Sequence, residues 1–233
     1  MSRQIPWLRV FVEGVVIVGS ILLAFGIDAW WDGRQERAAE AELLVRLDDE
    51  FRENQAAIAA VLTENQRFGE AALTIGGMQP DVMRSLSTDS LSSLLQKIGP
   101  LGIFHPGEAE LSSMIQSGEN RLLRDRELRV ALSRWAESLA ALEEQAAIVR
   151  RGQSERADLF RFGGYPSAFM RDEDEGDGEL VLTERREVLA QLLGEGRFRE
   201  NILYHRLTRN YYNELLEEAR TELDSVLVLL AVD

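Results

Sequence analysis

Residues 10–31 read VFVEGVVIVGSILLAFGIDAWW, and within Val10 to Ile27 the one ionisable side chain is Glu13. A helix rising about 1.5 Å per residue over that run covers roughly 27 Å, close to a bilayer hydrocarbon core of about 30 Å. Trp7 precedes the run, and Trp30 and Trp31 close it, where amphipathic indole rings sit best at headgroup level. The stretch therefore predicts one transmembrane helix over 10–31, with 1–9 as a short cytoplasmic start. A cleaved secretory signal is the rival reading, since Gly14 to Ile27 has the length of its apolar region and Ala24-Phe25-Gly26 offers small residues for cleavage. Glu13 inside the run and the Trp pair just after it oppose that reading.

Arginines near the two ends almost tie, Arg3 and Arg9 against Arg34, Arg37 and Arg46, so charge counting leaves orientation open. The acid-free start favours an N-terminus inside. The expectation is a signal anchor, with 34–233 as a helical domain outside the cytoplasm.

An ionisable group within a span is costly and points to function or to a partner. Arg9 lies one turn before Glu13, and a carboxylate near a helix N-terminus gains from the macrodipole. At 100° per residue Glu13, Ser20, Ala24 and Trp31 fall on one line, a small and polar stripe of the kind that lets helices approach and hydrogen-bond in lipid. Glu13, Ser20 and Ala24 are thus candidate helix-contact residues, and Trp7, Trp30 and Trp31 candidate interface anchors.

The segment from Glu13 to Asp32 resembles the signature of an uncharacterised bacterial family of single-span membrane proteins, known only as a domain of unknown function. Its pattern is a Glu opening the span, Ile-Leu-x-Ala near the middle and Ile-Asn/Asp-x-Trp at the exit. Glu13, Ile21, Leu22, Ala24, Ile27, Asp28 and Trp30 match it. Phe104-His105-Pro106, followed by Leu111 and Ser117-Gly118, is similar to the family's Pro-containing loop before a short helix. The resemblance implies a bacterial inner membrane with the bulk of the chain periplasmic, and it brings no activity.

The chain has 233 residues, 40 acids against 26 bases and a net charge of −14. About 200 residues beyond the span are enough for one domain with a sizeable core, and so acidic a surface repels nucleic acid. Cysteine is absent, which excludes disulfides, thiol catalysis and zinc-thiolate ligation within the chain.

From Arg34 to Ile75 apolar residues recur at steps of three and four: Leu44, Leu47, Phe51, Ile58, Val61, Phe68, Ala72 and Ile75. Asn54 and Asn65 fall in the same seam, where a polar residue fixes pairing at some cost in stability. This predicts a long amphipathic stalk with Gly33 as a hinge, ended by Gly76-Gly77-Met78-Gln79-Pro80. A short helix capped by Ser87 or Thr88 follows, then a loop over Gly99 to Gly107, and then a helix from Glu108 to Gln116 stopped by Ser117-Gly118. Asp125 is positioned to cap a long helix carrying Leu128, Leu132, Trp135, Leu139, Leu142 and Ala146, expected to pack on the first. Thr183 is read as capping a helix that Gly194-Glu195-Gly196 breaks. The last helix runs from about Phe198 to Leu230, its apolar end from Val226 to Val232 expected to be buried in the bundle or to touch a membrane or partner. No run alternates with period two, so the fold class is all-α: a transmembrane helix followed by an antiparallel helical bundle with long coiled-coil-like helices.

Catalytic signatures are missing. His105 and His205 are the two histidines, about 100 positions apart; the first reads as a loop residue and the second as a core histidine. Asp172 to Glu179 invites comparison with a calcium loop, but Gly176 and Thr183 stand where ligands should, so it reads as a solvated loop. Tyr204, Tyr211, Tyr212 and Trp135 read as core. No enzyme activity and no cofactor are expected. The expected partners are the membrane and either a second copy or another membrane protein. Two functions fit: an anchored interaction or scaffold protein, an accessory subunit of a larger membrane complex; or an extracytoplasmic sensor whose bundle holds a small ligand.

Overall fold

The computed structural model describes residues 7–98, 102–162 and 178–231. The expected loop at Asp172 to Glu179 falls largely outside these residues, as do the first six residues, Val232 and the start of the expected Gly99 to Gly107 loop. Among the described residues all regular structure is helical. The α-helices are α1 (Trp7–Gly77), α2 (Pro80–Ser85), α3 (Thr88–Ile98), α4 (Ala109–Ser117), α5 (Arg126–Phe162), α6 (Gly178–Gly194) and α7 (Gly196–Leu230).

The span and the stalk are one element. α1 runs unbroken for 71 residues, roughly 105 Å at helical rise, and the expected hinge residue Gly33 is helical within it. No further break occurs until the Gly76-Gly77 pair. Pro80 then opens α2, where its missing N–H costs nothing; this short helix was not anticipated. Ser87 Oγ accepts from the N–H of Ser90 at 3.2 Å, and Asp125 Oδ1 from that of Glu127 at 2.7 Å, so both caps form as expected. Gly118 closes α4 at φ 76°, a left-handed turn that favours glycine.

Chain directions follow from contacts between elements. α7 descends along α1: Arg199 Nη2 donates to Gly76 O at 2.6 Å, Asn65 Nδ2 to Asn213 Oδ1 at 2.8 Å, and Gln55 Nε2 to Asp224 Oδ1 at 2.6 Å. It is also antiparallel to α5, where Gln145 Nε2 reaches Thr208 O at 3.1 Å. α1 and α5 both ascend, since Phe51 meets Trp135 with ring centroids 5.5 Å apart and Phe68 lies under Arg156. The expected packing of α5 on the first helix is therefore made through such side chains, whereas its closest backbone neighbour is α7.

The fourth position of the bundle is filled by the descending segment from Gly102 through α4. Its first part has no helical ladder, so its backbone groups need side-chain partners. Asn65 Nδ2 donates to Gly102 O at 3.1 Å. Asn54 makes a reciprocal pair with Gly107, donating to its carbonyl at 2.8 Å and accepting from its N–H at 2.7 Å. Tyr212 Oη accepts from Phe104 N at 2.9 Å. Glu50 accepts from the N–H groups of Glu110 at 2.6 Å and Leu111 at 3.2 Å, satisfying donors at the N-terminus of α4. Asn54 thus binds a non-helical segment rather than a second helix, and Asn65 binds both that segment and α7.

Two expectations fail locally. Thr183 lies inside α6 and does not begin it. Tyr204 and Tyr211 are 56% and 53% exposed, whereas Tyr212 and Trp135 are fully buried: the inner line of α7 passes through His205, Arg209, Tyr212 and Leu216, and the other two tyrosines lie off it. The apolar end of α7 is covered only on one side, with Val226 and Leu230 buried and Val228 in the open.

Candidate functional site

Two apolar cores occupy the bundle. The lower, around Phe51, Trp135 and Leu216, joins α1, the descending segment, α5 and α7; the upper, around Phe68, Leu91 and Phe198, joins α1, α3, α6 and α7. Between them lies a layer of buried polar side chains: Asn65, Arg156, His205 and Arg209.

Arg209 is buried, its Nη1 3.3 Å from Asn65 Oδ1 and its guanidinium carbon 3.8 Å from the centre of the Phe68 ring. Arg156 is 6% exposed and approaches the same ring at 5.4 Å. Burial pulls the pKa of both guanidinium groups down to about 10; for Arg209 the neighbouring Arg156 adds to this and Glu64 opposes it. Both remain charged at neutral pH. Attraction to an aromatic face, about 2 kcal/mol when desolvated, offsets part of the cost of burying them. No described carboxylate comes within ion-pair distance of Arg156, and its Nη2 is buried without a hydrogen bond.

His205 packs flat against Gly152, where an added Cβ would fall 1.5 Å from the imidazole; any side chain at 152 would expel the ring. Burial lowers the His205 pKa, Arg156 and Arg209 lower it further, and Glu155 partly opposes them. Glu155 Oε2 stands 3.9 Å from Nε2, beyond hydrogen-bond reach. The imidazole is therefore neutral at pH 7. On the upper side of Arg156 a groove of about 270 Å³ opens between α3, α5 and the start of α7, walled by Leu95, Ile98, Ala157, Phe160 and Phe198.

The span residues lie far from this layer. Trp30 and Trp31 are 56% and 61% exposed, with centroids 6.5 Å apart and the Arg34 guanidinium 5.8 Å from the Trp30 ring. Glu13, Ser20 and Ala24 are exposed on the continuous α1, and Ser20 Oγ donates back to Val16 O at 2.8 Å. Trp7 begins α1, its side chain outside the described ones. The apolar stretch of α1 is long enough to cross a membrane and has none of its window buried within the chain.

Among the described residues no group of three His, Cys, Asp or Glu converges to hold a metal ion. No family model, curated protein or solved structure matches the chain. The buried arginines went unread in the sequence because arginine is by default a surface residue. The signal was present: Arg209 stands on the line of Ile202, His205, Tyr212 and Leu216, and Arg156 lies seven residues after Val149 on the line of Leu142 and Ala146.

Proposed function

We propose that this chain is a membrane-anchored, non-enzymatic interaction protein, an accessory subunit of a larger membrane complex, belonging to the single-span bacterial family that its Glu13–Asp32 segment resembles. In this reading the span sits in the inner membrane and the bundle stands in the periplasm. The observation that carries it is the continuity of α1: the residues taken to lie in lipid and those forming one wall of the bundle belong to a single uninterrupted helix, so a contact made in the bilayer fixes the bundle's azimuth outside it. The exposed line of Glu13, Ser20 and Ala24 supplies the contact surface, and in lipid small and hydroxyl-bearing residues are what helix pairs use.

Crosslinking in intact membranes followed by purification in mild detergent tests it. A discrete partner or a homo-oligomer is expected, lost on Glu13→Leu combined with Ala24→Phe. Recovery as a lone monomer, or of a soluble product trimmed just beyond Gly26, overturns the reading.

A further inference from the structure

We infer that the groove between α3, α5 and the start of α7 is a binding site for a small, water-soluble apolar acid, its carboxylate taken by Arg156 and its hydrocarbon part by the surrounding wall. The walls supply two kinds of recognition. Leu95, Ile98, Ala157, Phe160 and Phe198 present aliphatic and aromatic surface, and Arg156 is the charged group among the groove's lining residues. A buried guanidinium with no described carboxylate at ion-pair distance is costly, and a carboxylate is the planar anion that matches its donor fork. Cations are repelled by Arg156, with Arg209 charged beside the same Phe68 ring. A single guanidinium, with the Gln153 amide as the other polar group in otherwise apolar walls, suits a monoanion better than a phosphate ester, which calls for several charged donors.

Size and position narrow the ligand further. At about 270 Å³ the groove lies just below the usual range of roughly 300–1,000 Å³ for drug-sized ligands, which suits one short chain or ring and not a two-chain lipid. Phe68 follows Trp31 by 37 positions on one helix, roughly 55 Å of rise. A groove at that height is out of reach of an acyl chain still embedded in the bilayer beside Trp31, so the ligand arrives from the aqueous phase.

The test uses the full chain in phosphatidylcholine nanodiscs, with octanoate as probe, octanol and acetate as controls, and empty discs as reference for partitioning. Calorimetric titration is expected to give saturable octanoate binding in excess of the empty-disc signal, at least tenfold weaker binding of octanol, and none of acetate. Arg156→Gln should weaken octanoate at least tenfold and leave octanol unchanged. Ala157→Phe, at an exposed position on the groove wall, should abolish both while the bundle's melting temperature holds, and it serves on its own should Arg156→Gln fail to fold. Octanoate uptake no greater than in empty discs, or equal uptake by wild type and Ala157→Phe, overturns the inference. Loss of octanoate binding when phosphatidylglycerol is added to the discs overturns the soluble source and assigns the site to a lipid. Each of these results is independent of whether the span pairs with a partner.

Discussion

The two halves of α1 are built for different solvents. From Phe11 to Trp31 every described large apolar side chain lies open, from 50% at Ile21 to 70% at Phe11, whereas Leu43, Leu47, Phe51, Ile58, Phe68 and Ile75 are at 1% or less. One half is predominantly apolar, and its most apolar window has nothing buried within the chain; the other is apolar along one stripe and polar elsewhere. A soluble monomer rarely carries a contiguous apolar surface as large as the first half presents, and in lipid a helix is the form that satisfies its own backbone groups without neighbours. The second half needs its neighbours, because a stripe earns stability only when covered. A single helix can thus take its order from two sources, and damage to either source should stay on its own side of Gly33.

The largest effect should come from Trp135→Ala. The indole is fully buried, tilted on Phe51 and edge-on to Phe104, and its loss should cost about 3–5 kcal/mol. Denaturant titration followed by near-UV circular dichroism should show the bundle destabilised or lost while the chain still pellets with membranes. Release from the membrane together with unfolding would show that the halves are not independent. The converse change is Leu22→Arg, which should penalise insertion by about 2.5–3.5 kcal/mol. Carbonate extraction should then free the chain, with the bundle's melting temperature unchanged.

The same contrast explains what could be read without coordinates. The span, the phase of the bundle helices and the caps at Ser87, Asp125 and Gly118 were legible because each rests on local chemistry: apolar period, a side-chain acceptor, a residue tolerant of positive φ. The partner of a seam was not. Asn54 and Asn65 were recognisable as seam residues, but that they hold a descending extended segment at Gly107 and Gly102 depends on residues about 40 to 50 positions away. The start of α6 before Thr183 was hidden by a run of acids and glycines with no cap signal. Arg156 and Arg209 were hidden because position on the inner line favours burial while residue type argues against it, and the contacts that resolve the conflict, the Phe68 ring near both and Asn65 at Arg209, come from a distant part of the chain.

A smaller effect should separate the halves by pH. His205 has its pKa lowered in the folded chain from an unfolded value of about 6.5. Below that value the unfolded chain takes up a proton that the native chain refuses, so stability should be constant above it and fall as the pH drops through it. Thermal melts of the bundle between pH 7.5 and 5.5 should show this slope, and His205→Gln should flatten it, whereas membrane attachment should not change over the same range. An unchanged slope in the variant would assign it to other groups.

The smallest effect belongs at the junction. Gly33 is helical and a Cβ there meets nothing within 4 Å, so Gly33→Ala removes backbone freedom without adding a contact. If the helix passes through residue 33 as one rod, alanine should favour the local helix by about 0.5–1 kcal/mol, slowing amide hydrogen exchange about two- to fivefold over residues 30–37. Exchange far above the junction, at residues 54–65, should not respond, because the bundle fixes that half already. Unchanged exchange at 30–37 would mean that the rod bends at Gly33 in solution, and the bundle would then be free to turn over its anchor instead of being held in azimuth by it.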